Sequence, residues 1–339
     1  MTNKKVVLVG ELLLRLSTDY GCLIQNSSSF QAHYGGSEAN VAISLSQFGK
    51  KAQLVSVLPT NDLGKGVKKH LLAHGVDCSQ VLEKDGRLGT YYVESGTSVR
   101  SAKVIYDRQD SVFIKSQLSD WDWSSILEDT SILHISGITP ALTEEWQEMT
   151  LSIVKEAKNR GISVSFDMNY RVKLWSQKEA SQFLMKLLPF VDYCSMGKMD
   201  ALYLLNIPKC EESLTTEEEL IYYYQQMQTK FPNISVFYST IREVCSASDN
   251  NLTGTLWMNQ QLFMSKTYAI TNIVDRVGGG DAFTSGVLYG LLEGLTPQET
   301  IDYATAVSTL KHTIAGDACM FSDQTVRDFI ESGSSKIVR

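Results

Sequence analysis

The sequence predicts an α/β protein with a mainly parallel sheet covered by helices on both faces, together with a second, smaller sheet. Three observations predict this fold. Short apolar segments alternate with longer segments of helical periodicity, which is typical of parallel strands joined by helices. Residues 12–34 and 88–113 lack long helical patterns and are rich in Thr, Tyr, Val and Ser, which favours antiparallel strands in a separate sheet. Three helical segments end the chain.

The strands of the main sheet are predicted from short apolar runs, and the helices from apolar residues that recur every three or four positions. Ser37 is the predicted N-cap of the first helix, and Gly49 is the predicted stop signal after it. The strands are expected at residues 6–10, 53–58, 132–136, 162–167 and 234–239. The helices are expected at residues 37–48, 63–74, 143–159, 177–187, 215–230, 279–292, 297–313 and 323–331. A hairpin is expected from strands at residues 244–249, 254–259 and 261–266.

Composition and charge exclude several classes of protein. The chain has 339 residues, of which 43% are hydrophobic, enough for the core of an α/β domain with one added element. The 31 Lys and Arg residues form no basic block and 38 acidic residues give a net charge of −7, so we expect no contact with nucleic acid. We expect no export signal and no membrane contact, because no apolar run is long enough. Six dispersed cysteines without a C-x-x-C pair predict reduced thiols in a cytoplasmic protein.

The most informative segment is residues 275–283, which read D-R-V-G-G-G-D-A-F and lead into an amphipathic helix. Glycines before a helix leave main-chain N–H groups open to an anion, and the helix N-terminus adds about half a positive charge. Asp281 lies in the first turn of that helix. Its carboxylate either stabilises only the helix terminus or serves as a base in phosphoryl transfer, which needs donors on the phosphoryl group and an acceptor for the attacking hydroxyl.

Other nucleotide-binding motifs are missing from the sequence. There is no G-x-x-x-x-G-K-[ST], so a P-loop does not hold the phosphates. The first strand is not followed by G-x-G-x-x-G, which weakens the hypothesis of a dinucleotide-dependent dehydrogenase. Neither the H-R-D nor the D-F-G motif of protein kinases is present.

Three motifs in order along the chain resemble those of the ribokinase-like (PfkB) carbohydrate kinases. They are G-G-S-E-A-N at residues 35–40, N-D-L-G at residues 61–64 and the glycine turn at residues 275–283. The resemblance covers nearly the whole chain and implies a single kinase domain over residues 1–339. The implied fold is a Rossmann-like three-layer domain, with a β-sheet lid formed by about residues 12–34 and 88–113. The resemblance also implies ATP as the nucleotide and Mg²⁺ as its metal.

Three further segments are similar to those of the 2-keto-3-deoxygluconate kinases within this family. They are Y-D-R at residues 106–108, D-M-N-Y-R at residues 167–171 and L-W at residues 174–175. The resemblance implies phosphorylation of that sugar acid to its 6-phosphate, with Asp281 as the general base. The implied site residues are Gly278, Gly279 and Gly280 in the anion hole, Gly35, Gly36 and Asn40 in the sugar site, and Tyr91, Tyr106, Arg108 and Arg171 around the acid end.

The residues themselves support a site for an acid. Tyr106 and Arg108 alternate on a predicted strand and therefore share a face. Arg171 follows a predicted strand end, where ligands of open α/β sheets bind. Two arginines at this position would suit a carboxylate. Two alternatives stay open, since Arg108 could face solvent on the lid and Tyr91 could serve only in packing.

On the nucleotide side, the resemblance implies that the phosphates contact Ser239, Thr240, Arg242, Gly278 and Gly280. The turn at residues 316–317 is expected near the adenine. One departure from the family concerns its N-x-x-E motif, which is linked to magnesium and phosphate. Gly197 and Asp200 stand at the matching positions. Asp200 is therefore the predicted metal-binding residue, unless the two segments do not correspond.

The sequence alone leaves other functions open. The nearest alternatives are a kinase for fructose or for 5-keto-2-deoxygluconate. A catalytically silent sugar-binding regulator on the same fold is a further alternative, which the intact glycine turn disfavours and Gly197 weakly favours. The expected partners are the sugar acid and ATP. A homo-oligomer through the lid is also expected, because exposed strands often pair with a second copy to cover their edges.

Overall fold

The structure is a computed structural model that describes residues 4–332. Its strands are β1 (Lys5–Val9), β2 (Leu13–Ser17), β3 (Gln31–Gly35), β4 (Ala52–Pro59), β5 (Asp77–Lys84), β6 (Gly89–Glu94), β7 (Lys103–Asp107), β8 (Thr130–Ser136), β9 (Ser163–Asp167), β10 (Tyr193–Ser195), β11 (Val236–Val244), β12 (Asn250–Met258), β13 (Gln261–Met264) and β14 (Tyr268–Ile270). Its helices are α1 (Ser37–Gln47), α2 (Asp62–Ala73), α3 (Trp123–Ile126), α4 (Glu144–Asn159), α5 (Gln177–Leu187), α6 (Lys198–Tyr203), α7 (Thr216–Lys230), α8 (Gly279–Glu293), α9 (Pro297–Lys311) and α10 (Asp323–Ser332).

The main sheet has the strand order β13-β12-β11-β10-β9-β8-β1-β4-β5, and β14 pairs with β12. The strands from β11 to β5 in this order run parallel, and β12, β13 and β14 pair antiparallel. Parallel neighbours need crossover connections, which the helices supply. The predicted mainly parallel sheet is therefore confirmed.

Helices pack on both faces of the main sheet because its central strands are apolar on both sides. In β1, Val7 packs in one core with Trp146 of α4 and Phe183 of α5. Leu8 points to the opposite face and packs with Ile43 of α1. Successive side chains of a strand alternate between the faces, so one short apolar run contributes to two cores. In the described part of the chain, no helix combines the length and the apolar character needed to cross a membrane.

The second sheet has the strand order β3-β2-β6-β7 and is called the lid sheet below. β2 pairs parallel with β6, and the other two pairs are antiparallel. A small apolar cluster of Leu13, Tyr91 and Val93 holds the lid sheet together. The predicted separate β-sheet is confirmed, and it lies beside the edge of the main sheet where the parallel strands end. Tyr91 of β6 connects the lid sheet to the rest of the protein through a hydrogen bond to Asp317, which lies between α9 and α10.

Two local predictions are wrong. The N-cap of α1 is Gly36 rather than Ser37, which is the first residue of the helix and points its hydroxyl elsewhere. The strand predicted at residues 244–249 does not form. β11 continues to Val244 and pairs with β12 as far as Asn250, so residues 245–249 make the connecting turn.

Candidate active site

Asp281 lies at the start of α8, directly after the glycine turn. Its Oδ1 accepts a hydrogen bond of 2.7 Å from Ser37 Oγ, and its Oδ2 accepts one of 2.7 Å from Asn40 Nδ2. Ser37 and Asn40 are on α1, three positions apart, and therefore face the same way. Asn169 Nδ2 donates to Ser37 Oγ at 3.1 Å and completes the network. Each carboxylate oxygen of Asp281 thus has a fixed donor, which sets the orientation of the group.

The electrostatic surroundings of Asp281 suit a group that takes up a proton. Burial raises the pKa of its carboxyl above the usual range. The hydrogen bonds from Asn40 and Ser37 and the charge of Arg171 act in the opposite direction and lower this pKa. A carboxylate with a raised pKa is a stronger base than an exposed aspartate, so this arrangement can accept a proton from a hydroxyl.

A second buried carboxylate, Asp167, ends β9 close to Asp281. Burial, and then the charge of Asp281, raise the pKa of Asp167 to about 7. Its Oδ1 accepts a hydrogen bond of 3.2 Å from the main-chain N–H of Asn169. This contact forms the turn that presents the Asn169 amide to Ser37. Asp167 therefore both shapes the turn and adds negative charge to the site.

A cleft of about 950 Å³ opens at the strand ends beside Asp281. An adjoining pocket of about 100 Å³ also contains Asp281 in its wall. The predicted residues that line the cleft are Tyr91, Tyr106, Arg171, Asp200, Ser239, Thr240, Arg242, Gly278, Gly279, Gly280 and Asp281. Those that line the smaller pocket include Gly36, Asn40 and Arg108. The structure thus brings the other predicted sugar, phosphate and metal residues around one carboxylate, whereas Gly35 lines neither the cleft nor the smaller pocket.

The three glycines of the turn differ in how much space their surroundings leave for a side chain. Gly278 has φ +79°, in the left-handed region, and a Cβ there would lie 1.6 Å from the main-chain oxygen of Asp317. A Cβ on Gly279 would lie 2.8 Å from the ring of His312. Gly280 lines the cleft, and a Cβ at this position would have no heavy atom within 4 Å. The fold thus demands glycine at Gly278, whereas at Gly280 the open space is available to a ligand.

The glycine pair at residues 35–36 is also required by close packing. A Cβ on Gly36 would lie 2.3 Å from the main-chain oxygen of Glu11, and the residue has φ +150°. A Cβ on Gly35 would lie 2.2 Å from Asp317 Oδ2 and 3.0 Å from the hydroxyl of Tyr91. Gly35 ends β3 and Gly36 caps α1, so both glycines allow close packing where the lid sheet leads into α1.

Arg108 follows β7 and is already part of an ion pair. Its Nε donates to Glu11 Oε2 at 2.7 Å, and its Nη2 donates to the same oxygen. Ser111 Oγ donates to the other oxygen of Glu11. Arg108 is 8% exposed and Glu11 is 4% exposed, so this is a buried pair at the wall of the smaller pocket. The alternative that Arg108 faces solvent on the lid is therefore excluded, and Arg108 lies at the pocket wall as predicted.

Asp317 connects the lid sheet to the glycine turn. It accepts a hydrogen bond from Tyr91, and Arg15 Nη1 of β2 donates to its Oδ1 at 2.6 Å. Arg15 Nη1 also lies 2.7 Å from Asp275 Oδ2, just before the glycines. Tyr91 is therefore a polar partner of Asp317 as well as a packing aromatic, and its ring stacks on Tyr106 with centroids 5.8 Å apart.

Arg171 differs from Arg15 and Arg108 because it lacks a carboxylate partner. Its Nη1 donates to the main-chain oxygens of Tyr170 and Asn169 at 3.1 and 3.4 Å. None of the ion pairs found among residues 4–332 includes Arg171. It lines both the cleft and the smaller pocket next to Asp281. The guanidinium is thus positioned to bind an anionic group of a ligand.

The predicted phosphate residues on β11 line the same cleft as Asp281. Ser239 hydrogen bonds to the hydroxyls of Tyr224 and Thr255 at 2.8 and 2.9 Å, which fixes its side chain. Thr240 and Arg242 follow it along β11 and also line the cleft. Ser239 therefore supports the cleft wall, and its neighbours present polar groups to the open space.

Asp200 has a structural contact in addition to its position in the cleft. Its Oδ2 accepts a hydrogen bond of 2.9 Å from the main-chain N–H of Gly197 and so caps the start of α6. Burial raises the pKa of Asp200 to about 6. A Cβ on Gly197 would lie 3.0 Å from Ser239 Oγ, so the segment packs closely on β11. Asp200 and Asp167 both line the cleft, and the described residues contain no group of three or more His, Cys, Asp or Glu side chains that could hold a metal by itself.

Several residues of the site do not stand out in the sequence. Ser37 reads as a helix cap, and Asn169 reads as a turn residue, yet both position Asp281. Asp317, expected near the adenine, lines the small pocket beside Asp281. Arg276 lies inside the glycine motif and lines the cleft. Position was the available signal, because Ser37, Asn169 and Arg276 lie inside the quoted segments and Asp317 lies in the turn at residues 316–317.

A glycine turn at a helix N-terminus, a buried carboxylate with fixed donors and a cleft beside a lid sheet are together typical of a small-molecule kinase. Residues 3–320 match the family described as pfkB family carbohydrate kinase. The chain therefore belongs to the PfkB family of carbohydrate kinases, as predicted. Kinases of this family use ATP with Mg²⁺.

Relatives with known structures or curated functions include sugar-acid kinases. The crystal structure of a PfkB family carbohydrate kinase from Listeria grayi is 47% identical, with a TM-score of 0.92 over 97% of this chain and 100% of that chain. That of a 2-dehydro-3-deoxygluconokinase from Thermotoga maritima is 36% identical, with a TM-score of 0.93 and the same coverage of 97% and 100%. A 2-dehydro-3-deoxygalactonokinase of Haloferax volcanii is 31% identical over 99% of both chains. This chain is therefore similar to kinases of 2-keto-3-deoxy sugar acids.

Proposed function

We propose that the protein phosphorylates 2-keto-3-deoxygluconate (2-dehydro-3-deoxygluconate) at its 6-hydroxyl, with ATP as the phosphoryl donor. The observation that carries the choice of a sugar acid is Arg171. Its guanidinium lines the pocket beside Asp281 and has no carboxylate partner among residues 4–332. A substrate carboxylate would supply that partner through a charge-assisted contact, which a neutral sugar cannot make.

The proposed mechanism assigns one task to each part of the site. Asp281 accepts the proton of the 6-hydroxyl as the hydroxyl oxygen attacks the γ-phosphorus of ATP. Ser37 and Asn40 hold the carboxylate in the orientation that this transfer needs. The main-chain N–H groups of the glycine turn and the N-terminus of α8 stabilise the charge on the transferred phosphoryl group. The products are the sugar-acid 6-phosphate, ADP and a proton bound to Asp281.

On the substrate side, Arg171 and Arg108 are proposed to bind the carboxylate of the sugar acid. Arg171 offers its guanidinium directly. Arg108 uses Nε and Nη2 for Glu11, so its Nη1 is the atom with which it would reach a ligand. Tyr91 and Tyr106 supply a stacked aromatic wall next to these groups. The carboxylate would then be bound at the opposite end of the sugar from the reacting hydroxyl.

The chain has residues suited to Mg²⁺ and nucleotide phosphates. Asp200 and Asp167 present buried carboxyls at the cleft with pKa values raised to about 6 and about 7, and a divalent cation would favour their ionised forms. Magnesium usually binds one or two carboxylates together with substrate phosphates. When bound, the ion neutralises charge on the phosphate chain. The open space at Gly280 leaves room for the phosphates against the main chain.

The C4 epimer, 2-keto-3-deoxygalactonate, is a second candidate substrate. The Haloferax volcanii relative that covers 99% of this chain is a 2-dehydro-3-deoxygalactonokinase. Both epimers carry the same carboxylate and 6-hydroxyl, so the Arg171 argument applies to each. Fructose lacks the carboxylate, and a silent regulator would have no use for the preserved base and glycine turn. A homo-oligomer through the lid sheet stays a prediction.

The test is a kinetic comparison of sugar acceptors with ATP and Mg²⁺, in which ADP formation is measured. The panel is 2-keto-3-deoxygluconate, 2-keto-3-deoxygalactonate, 5-keto-2-deoxygluconate and fructose. We expect the highest kcat/KM with one of the first two acids and at least about tenfold less with fructose, because a charge-assisted contact is lost. A preference for fructose, or for 5-keto-2-deoxygluconate, would overturn the assignment.

A further inference from the structure

Arg276 lies in the glycine motif, two residues before Gly278. Its side chain lines the cleft that contains the glycine turn. Its Nη2 donates to the main-chain oxygen of Ser246 at 2.6 Å, which anchors one end of the guanidinium. Its Nε is buried and has no hydrogen-bond partner among residues 4–332. A buried N–H without an acceptor is costly. Nη1 takes part in none of the hydrogen bonds found among residues 4–332 and is the donor left for an acceptor in the cleft.

A second guanidinium lies close to the first. Arg242 of β11 lines the same cleft, and the charges of the two arginines act on each other, lowering the pKa of Arg242 after the larger effect of lost hydration. Neither arginine belongs to any of the ion pairs found in the described part of the chain. The acid whose charge acts on Arg276 is Asp249, which is beyond ion-pair distance.

Two unpaired guanidinium groups in one cleft repel each other unless an anion lies between them or beside them. Elsewhere in this protein the buried arginines have carboxylate partners, as Arg15 has in Asp317. The anion expected at a glycine turn and helix N-terminus is a phosphate, and guanidinium groups bind phosphate oxygens with two parallel donors. Arg276 is held by Ser246 on one side, so it is partly ordered before a ligand arrives.

We propose that Arg276 binds the phosphate chain of the nucleotide, with its guanidinium and that of Arg242 on the same phosphates that approach the glycine turn. This inference rests on the proposed use of ATP and adds a residue to that site. It assigns Arg276 to phosphate recognition rather than to the adenosine part of the nucleotide. Arg276 would also favour the transition state, because charge spreads over the phosphate oxygens as the phosphoryl group moves.

The test compares nucleotide ligands that differ only in phosphates. Dissociation constants of ADP and adenosine are measured by calorimetry without sugar, for the wild type, Arg276→Met and Arg276→Lys. We expect Arg276→Met to weaken ADP about tenfold to a hundredfold and adenosine less than about twofold. Lysine should restore part of the ADP affinity, because it keeps the charge but not the planar fork. ADP binding by the wild type should also weaken more steeply with salt than binding by Arg276→Met.

The control is Arg160→Met, an exposed arginine that pairs with Glu156 at the end of α4, away from the cleft. Its ADP and adenosine affinities should match the wild type. Equal losses of ADP and adenosine affinity in Arg276→Met, with a lower Tm, would assign Arg276 to structure and overturn the proposal. Unchanged ADP affinity would also overturn it. Because no sugar is present, a wrong substrate assignment leaves this result intact, whereas a wild type that binds no ADP contradicts the proposed use of ATP.

Discussion

The arginines on the two sides of the cleft differ in how their charges are balanced. On the lid side, Arg15 pairs with Asp275 and Asp317, and Arg108 pairs with Glu11. On the side of the main sheet, Arg171, Arg242 and Arg276 are in none of the ion pairs among residues 4–332. The lid-side charges are therefore balanced within the protein, where only Nη1 of Arg108 is proposed to reach a ligand, whereas the main-sheet arginines have no carboxylate partner in the described residues.

This difference has a physical cause. A buried arginine needs a partner because removal from water costs several kcal/mol per ion in real proteins. Arg15 is 2% exposed, so it could not exist at this position without Asp275 and Asp317. Arg171 is exposed and can be hydrated until a substrate displaces the water. We therefore expect the lid-side pairs to contribute mainly to stability and the main-sheet arginines to act mainly on ligands.

The largest expected effect concerns the carboxylate between the two groups of arginines. Asp281→Asn should reduce kcat about 10²–10⁴-fold, because the amide cannot accept the hydroxyl proton. The fold should be retained, since an amide can keep hydrogen bonds to Ser37 and Asn40 and no longer has a buried charge. Steady-state kinetics and the Tm measure the two outcomes. A folded Asp281→Asn protein with nearly normal kcat would exclude Asp281 as the base.

The second prediction tests whether the lid-side pair is structural. Arg108→Met leaves Glu11 buried without its charged partner, which should destabilise the protein by about 3–5 kcal/mol. The double variant with Glu11→Gln should recover most of that loss, because the unpaired charge is gone. Urea denaturation gives both free energies of unfolding. An Arg108→Met protein with the wild-type urea midpoint would show that the pair with Glu11 does not stabilise the fold. The proposed difference between the two sides of the cleft would then be wrong.

The third prediction separates glycines of the fold from glycines of the site. Gly278→Ala should lower the Tm, because Gly278 has φ +79° and its Cβ would overlap Asp317. Gly280→Ala should leave the Tm unchanged or slightly higher, since the methyl group meets no protein atom and alanine favours a helix. It should nevertheless raise the KM for ATP by filling space at the turn. A Gly280→Ala enzyme with an unchanged KM for ATP would indicate that the phosphates bind elsewhere.

The smallest expected effect is a shift in the pH profile. Ser37→Ala removes a hydrogen bond that favours the ionised form of Asp281, so the pKa of Asp281 should rise further. The base must be ionised to act, and the acid limb of kcat/KM should therefore move to higher pH, by up to about one unit for a bond of about 1 kcal/mol. Ser46→Ala on the same helix is the matched control, because its hydroxyl has no partner among residues 4–332. An identical acid limb in Ser37→Ala and Ser46→Ala would contradict the role of Ser37.

The sequence predicted the layered sheet, all eight of the long helices and the position of Asp281, because these depend on local periodicity and on one contiguous turn. It did not predict the pairing of Arg108 with Glu11, which lie 97 positions apart. The predicted alternation through Tyr106 and Arg108 places Arg108 on the side of the site, but only the tertiary structure brings Glu11, between β1 and β2, to it. The sequence also did not show which of the three adjacent glycines has a positive φ, and in the structure it is Gly278.

Contacts between residues that are far apart in the sequence could not be predicted for the same reason. Ser37 and Asp281 are 244 positions apart, and their hydrogen bond exists because α1 and α8 pack side by side. From the sequence, Ser37 was a helix cap, which is the commonest use of a serine at such a position. The structure shows that Gly36 takes that position and leaves the hydroxyl free for the carboxylate. Side chains that position a catalytic group need the tertiary structure to be recognised.

The central claim is that an unpaired arginine of the main-sheet side selects a sugar acid. The most direct measurement is the ratio of kcat/KM for 2-keto-3-deoxygluconate to that for fructose, in the wild type and in Arg171→Met. Arg171 has no carboxylate partner in the described structure, so its loss should not lower the Tm. We expect this ratio to fall about tenfold to a hundredfold, because an effect of Arg171 on the pKa of Asp281 is common to both acceptors and cancels in the ratio. An unchanged ratio in a stable Arg171→Met protein would contradict the claim.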